Sequence, residues 1–212
     1  MSRDKKRAKK AVIFDCDGVL FDSKASNISY YNHLLLKFNL PPLREEDVEF
    51  IHMHTADECI KYLFKDSPFL GRALEYRWNM PLDEFIAQMK METGLVELLR
   101  ELKPRHYLAI ATNRSNSLPE VLSYFKLTEY FDKVVSALDV KNPKPDPECI
   151  EKILEHFGLS KDDVIYIGDS KLDEETAFNA RIKFIAYKNN SLKADFYAKS
   201  TREIGDYIKS HF

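Results

Sequence analysis

The chain is predicted to be an α/β protein in which a parallel sheet is covered by helices and interrupted by one helical insertion. Three observations predict this. Short β-rich apolar runs alternate with helically patterned segments along much of the sequence. Each run is apolar on both faces, as a strand covered on both sides should be. Residues 23–93 break the rhythm, carrying helical patterns and no strand pattern. A length of 212 residues suits one core with a sizeable insertion.

The candidate strands are Ala11 to Phe14, Tyr107 to Ala111, Lys133 to Ser136, Val164 to Ile167 and Lys183 to Tyr187. Between them, Leu118 to Phe125, Pro147 to Phe157 and Leu172 to Ala180 carry helical spacing. In the second of these, Pro147 suits the first turn, Ile150, Ile153, Leu154 and Phe157 form one apolar stripe, and Gly158 ends it. Such helices are the crossovers of βαβ units. The insertion is expected to hold helices over Asn27 to Phe38, Glu45 to Ile51, Ala56 to Phe64 and Gly71 to Met91, with Tyr76, Trp78 and Phe85 in its core. The expected organisation is a flexible basic tail over 1–10, a core formed by 11–22 and 94–212, and a helical domain over 23–93.

Composition narrows the function classes. Hydrophobic residues make up 44% of the chain and aromatics 12%, enough for a core, which excludes disorder over most of the length. The 32 Lys and Arg nearly balance the 34 Asp and Glu, so the net charge of −2 creates no global field for nucleic acid. The tail places Arg3, Lys5, Lys6, Arg7, Lys9 and Lys10 against Asp4, and a solvated terminus accounts for it. The apolar run that follows is too short for a signal peptide, and no segment is long enough to span a membrane. Cys16, Cys59 and Cys149 are scattered and odd in number, which reads as reduced thiols of a cytoplasmic protein with neither disulfides nor a zinc site.

The chemistry gathers where strands end. Ala11 to Phe14 runs straight into Asp15-Cys16-Asp17-Gly18. The i, i+2 spacing puts Asp15 and Asp17 on one side of an extended backbone, and Gly18 permits a sharp turn. Ligands of open α/β sheets bind at the carboxyl ends of strands. Two acids that close repel each other, so stability explains them poorly. Hard oxygen donors suit Mg²⁺. Alternatively the pair divides the work, one carboxylate attacking while the other moves protons. A surface turn remains open for this motif taken alone.

Later strand ends supply matching groups. Thr112-Asn113 offers a hydroxyl and an amide to an anionic oxygen, or a simple turn cap. Arg114, which follows, suits either a substrate anion or an exposed helix start. In Lys141-Asn142-Pro143-Lys144-Pro145-Asp146-Pro147 the prolines stiffen the loop that aims Lys144, whose ammonium could neutralise a phosphoryl group. Val164 to Ile167 leads to Gly168-Asp169-Ser170-Lys171-Leu172-Asp173, where Asp169 and Asp173 can complete a magnesium shell and Asp169 or Ser170 can cap the next helix.

Four such signals in the order of successive strand ends resemble the haloacid dehalogenase superfamily. Asp15-Cys16-Asp17-Gly18 looks like its first motif, Thr112-Asn113 its second, Lys144-Pro145 its third, and Gly168-Asp169-Ser170 through Asp173 its fourth. The resemblance covers residues 11 to 190 and is nearest the phosphoglycolate phosphatase-like and β-phosphoglucomutase-like members, which carry a helical cap after the first motif. It implies a Rossmann-like three-layer core with a helical cap, Mg²⁺ dependence and an aspartyl-phosphate intermediate. Asp15 would be nucleophile and metal ligand. Asp17 would be general acid and then base, its carbonyl touching the metal. Thr112 and Asn113 would hold the phosphoryl group, Lys144 would bridge it and Asp15, and Asp169 would ligate the metal with Asp173 in support. An acid at Asp17 favours phosphoryl transfer over carbon–halogen cleavage.

Two departures stand out. The cap segment Ile51-His52-Met53-His54-Thr55 lacks the glycine many relatives carry, and Ala180-Arg181-Ile182 replaces the usual Ala-Gly step, which predicts an altered turn. His52 and His54 read as polar cap surface or as substrate contacts. The leading expectation is a phosphatase acting on a small phosphorylated metabolite. A sugar phosphomutase and a catalytically idle phosphate sensor or scaffold are the alternatives.

Overall fold

The computed structural model describes residues 9–212. Most of the expected basic tail, residues 1–8, lies outside the described residues. The tail's last two residues do not fit that expectation. Lys10 is the first residue of a strand, with its ammonium 4.5 Å from the Phe212 ring centre, and Lys9 Nζ lies 5.5 Å over the Tyr107 ring.

The core is a Rossmann-like three-layer α/β fold. Six strands, β1 (Lys10–Phe14), β4 (His106–Ala111), β5 (Lys133–Val135), β6 (Val164–Gly168), β7 (Lys183–Tyr187) and β8 (Phe196–Ala198), form one sheet in the order β5-β4-β1-β6-β7-β8. Every pairing in it is parallel. Five of these strands match apolar runs in the sequence. The sixth, β8, is only three residues long, too short for a pattern to reveal it.

Alternate residues of the strands feed two separate cores, which is why the runs are apolar on both faces. Val12, Phe14, Leu108, Ile110, Ile165 and Ile167 face one layer, formed by α6 (Leu95–Leu102), α7 (Leu118–Tyr124) and α10 (Thr201–His211). Ala11, Ile13, Ala109, Ala111, Val164 and Tyr166 face the other, formed by α8 (Glu148–Phe157) and α9 (Lys171–Ala180). Pro147 stands at the cap of α8, one residue before the helix, and Gly158 ends it in a left-handed conformation. Arg181 takes a left-handed conformation too, φ 57°, at the C-cap of α9, so a bulky residue occupies a turn that glycine enters freely.

Between β1 and β4 the chain builds α1 (Lys24–Lys37), α2 (Asp47–Met53), α3 (Ala56–Leu63), α4 (Leu70–Tyr76) and α5 (Asp83–Ile86). Tyr31, Leu34, Leu35, Ile51, Cys59, Ile60, Phe64 and Ala73 form a third core belonging to this segment, whereas Leu82, Ile86 and Met89 pack into the sheet's own core. Two links, β2 (Phe21–Asp22) and β3 (Lys90–Met91), pair antiparallel, so the chain enters and leaves the helices along one narrow ribbon.

Two expectations for this segment are corrected. Gly71 to Met91 is not one helix but α4, α5 and the strand β3, broken around Pro81, which lacks an N–H and disfavours helix in the residue before it. Trp78 is 51% exposed, while the guanidinium of Arg77 lies 4.0 Å over its ring and is itself buried. The ion pair of Arg77 with Asp57, at 2.6 Å, explains the inversion. No helix among the described residues is long and apolar enough to cross a membrane.

Candidate active site

Register brings three strand ends to one level. Phe14 pairs with Ile110 on one side and Ile167 on the other, so Asp15, Thr112 and Asp169 emerge together from β1, β4 and β6. Asp15 N–H still donates to Ile167 O at 2.9 Å, which holds its side chain at the sheet edge. Gly18, at φ +81°, turns the chain away; a Cβ there would lie 2.0 Å from Asp169 Oδ2. The glycine is what allows the first and last acidic loops to approach.

Asp15, Asp169 and Asp173 each present a carboxylate oxygen, and these oxygens all lie within 4.8 Å of one another. Lys144 enters the cluster from the proline-rich loop, with a cis peptide to Pro145. Its Nζ donates to Asp15 Oδ1 at 2.9 Å, Asp173 Oδ1 at 2.6 Å and the Tyr166 hydroxyl at 3.0 Å, all buried. The Tyr166 hydroxyl also lies 2.6 Å from Asp173 Oδ1 and 3.0 Å from Ala111 O. Asp173 is thus saturated, its other oxygen accepting from Ser170 Oγ and from the N–H groups of Asp169 and Ser170 at the start of α9. Ser170 in turn caps that helix.

Burial sets the electrostatics. Desolvation pushes the Asp15 carboxyl up to about 7, against the pull of Lys144 and with the push of Asp173 and Asp17. Desolvation also pushes Asp169 well up, helped by Asp173 and Asp15, and no hydrogen bond offsets it. Asp173 is held below its ordinary value because Lys144, Ser170 and Tyr166 outweigh its burial. Lys144 is held above its own by Asp15 and Asp173 despite desolvation. Two buried carboxylates, Asp15 and Asp173, share one ammonium, and the half-buried Asp169 side chain beside them accepts no hydrogen bond from the described residues. Hard oxygen donors in that state fit a small divalent cation.

Asp17 stands apart from this cluster. Its side chain faces Arg114, whose Nε lies 3.0 Å from Oδ2 and whose NH2 lies 2.6 Å from Oδ1, and the Ser23 hydroxyl also donates to Oδ1. Burial would raise this carboxyl, but Arg114, helped by His52 and Ser23, outweighs it and brings it down to about 2. Arg114 is not an exposed helix start: its side chain is 10% exposed and also reaches Ser117 Oγ at 3.0 Å and Asn27 Oδ1 at 3.3 Å.

The second motif is used differently from its reading as a pair of anion donors. Thr112 is buried and its hydroxyl oxygen accepts from Arg114 N–H at 3.1 Å. The Asn113 amide is committed to protein: Nδ2 donates to Met53 O at 3.1 Å and Lys144 O at 3.2 Å, and Oδ1 accepts from Lys144 N–H. It clasps the lysine loop and the end of α2 and has no free donor for an anion.

A cavity opens over these groups, walled on the far side by the inserted helices through Asn27, Tyr30, His52 and His54. Asn27 Nδ2 lies 3.2 Å from His52 Nδ1, and His54 stacks on Phe50. Sequence reasoning missed Tyr166, Ser23, Asn27 and Arg77. Only Tyr166 left a signal, as the one hydroxyl in a fully buried strand, where it must find partners.

A family model described as haloacid dehalogenase-like hydrolase matches residues 12–187. The pyrophosphatase PpaX of Bacillus velezensis is 30% identical over 188 residues, covering 82% of this chain and 80% of that protein. The phosphoglycolate phosphatase of Vibrio cholerae is 29% identical over 185 residues, covering 81% and 80%. The crystal structure of a haloacid dehalogenase-superfamily hydrolase, subfamily IA, from Geobacter sulfurreducens superposes with a TM-score of 0.82 at 37% identity, covering 94% of this chain and 99% of that one.

Proposed function

The chain belongs to the haloacid dehalogenase-like hydrolase family and is a phosphatase, and from that premise we propose that it hydrolyses a small phosphorylated metabolite through a phosphoryl group carried on Asp15. The observation that carries this reading is the buried contact of Lys144 with Asp15 at the rim of a cavity, beside two further carboxylates.

In the first step a carboxylate oxygen of Asp15 bonds to phosphorus while the bond from phosphorus to the leaving oxygen breaks. Asp17, on the cavity side, gives that oxygen a proton, which it holds only once the Arg114 guanidinium that keeps it ionised has turned away. In the second step water attacks phosphorus and yields its proton to Asp17, and phosphate leaves with the Asp15 carboxylate restored. The Lys144 ammonium offsets charge on Asp15 and on the phosphoryl oxygens. Thr112 holds the phosphoryl group through its hydroxyl. Asn113 serves it through its main-chain N–H, the side chain being spent on Lys144 and Met53.

Asp15, Asp169 and the main-chain carbonyl of Asp17 would hold a Mg²⁺ ion, with Asp173 in support through its bonds to the Asp169 loop. When bound, the ion supplies positive charge to the carboxylates and the phosphoryl oxygens. Residues 23–93 act in this reading as a cap that screens the phosphoryl-enzyme from bulk water, and 11–22 with 94–212 as the catalytic core. Three free, buried thiols suit the reducing conditions of the cytoplasm, where we place the enzyme.

Phosphate release from a panel of phosphorylated metabolites with Mg²⁺ tests the proposal, with Asp15→Asn as control. Pyrophosphate and phosphoglycolate come first, because they are what the named relatives act on. Release by the wild type alone supports the reading. A mutase would instead move the phosphoryl group without releasing phosphate.

A further inference from the structure

The Asp17 carboxylate, which the reaction needs beside the leaving oxygen, has both its oxygens occupied. Arg114 takes them with a two-pronged contact, 3.0 Å at Oδ2 and 2.6 Å at Oδ1, and Ser23 adds a third donor. A leaving group without charge offers nothing to draw the guanidinium away. A leaving group that carries its own anion comes to rest beside Asp17, where two negative charges repel unless a cation stands between them. Arg114 lines the same cavity and is placed to be that cation. Its planar fork matches carboxylate and phosphoryl oxygens equally well.

The surroundings are built to receive such a group. Asn27 Oδ1, 3.3 Å from Arg114 NH2, belongs to an amide that contacts His52 Nδ1. Asn116 lines the cavity next along the loop and accepts from Arg77 NH1 at 3.1 Å. Arg77 is 2% exposed and its Nε has no partner among the described residues. Polar groups from the sheet and from the inserted helices thus surround the guanidinium.

We propose that Arg114 is the specificity-determining residue of this site: its guanidinium passes from Asp17 to a second anionic group on the leaving side of the substrate. The enzyme thereby selects phosphate compounds that carry a carboxylate or a second phosphoryl group close to the scissile bond. The inference rests on the phosphatase reading above, and its test separates the two.

Calorimetric binding of three inert probes to the full chain with Mg²⁺ reads Arg114 without turnover. Phosphonoacetate carries a carboxylate beside its phosphonate, methylenediphosphonate a second phosphonate, and methylphosphonate neither. The wild type is expected to bind at least one of the two-anion probes about tenfold or more tightly than methylphosphonate, and whichever is preferred names the second anion. Arg114→Gln is expected to lose that preference. Arg114→Lys, which keeps the charge and loses the fork, is expected to keep only part of it, and it carries the test if the glutamine variant does not fold by circular dichroism. Equal weakening of all three probes, or a preference unchanged in both variants, overturns the role of Arg114. Phosphate release by the wild type from phosphoglycolate, pyrophosphate and ethyl phosphate is scored separately: release from none overturns the phosphatase reading, while the binding preference still decides the role of Arg114.

Discussion

Lys144 Nζ stands 2.9 Å from Asp15 Oδ1 across 129 residues of sequence, with both side chains almost wholly buried. The pair is not an isolated bridge, because Asp173 shares the same ammonium and Asp169 stands beside them with no side-chain donor among the described residues. Removing the ammonium would leave three carboxylates facing one another. Lys144→Met is therefore expected to abolish phosphate release and to cost about 3–5 kcal/mol of stability, as breaking a buried pair does. Denaturant unfolding checks this, and added Mg²⁺ should restore part of the stability but none of the turnover.

Tyr166→Phe removes one oxygen from a packed network. Lys144, Asp173 and Ala111 O each lose a partner, at a cost of about 1–3 kcal/mol for unsatisfied buried groups. A melting temperature lower by a few degrees and a slower phosphate release are the expected results, measured on the same preparation.

The approach of Gly18 to Asp169 gives a third prediction. Gly18→Ala would set a methyl group 2.0 Å from Asp169 Oδ2 at a backbone φ of +81°, which alanine resists. Asp169 has to move away. The variant should lose the increase in melting temperature that Mg²⁺ gives the wild type, a result thermal melts with and without the ion would check.

Proton and cation compete for Asp15. Burial raises its carboxyl from 3.8 to about 7, so between those values the folded protein holds a proton that the unfolded chain has released. The stability this group contributes is greatest below that window and declines as pH rises through it. A divalent cation binds the ionised form, so its stabilising effect should run the other way. The Mg²⁺-induced rise in melting temperature is expected to be larger at about pH 8 than at about pH 5.5, and Asp15→Asn should flatten that dependence.

Much of this site was legible because its parts sit at strand ends. Apolar runs located β1, β4, β6 and β7 to within a residue or so, and Asp15, Thr112, Lys144 and Asp169 follow in chain order. Partnership between distant loops leaves no mark on sequence. Nothing in Arg114 as a letter shows that it reaches Asp17, or that Asn113 spends its amide on Met53 and Lys144. Trp78 is expected in the core but is half exposed, because an apolar ring normally outranks a guanidinium for burial and here the ion pair of Arg77 with Asp57 reverses the order. Short elements such as β2, β3 and β8 offer too few residues for any period to show.

In this mechanism phosphorus becomes bonded to Asp15 during turnover. Acid quenching of the enzyme within a turnover of its substrate, followed by peptide mapping by mass spectrometry, tests this most directly. One added phosphoryl group is expected on the peptide that contains Asp15, and none on that peptide of Asp15→Asn. Phosphate release at full rate with no adduct on that peptide, or undiminished release by Asp15→Asn, would contradict it.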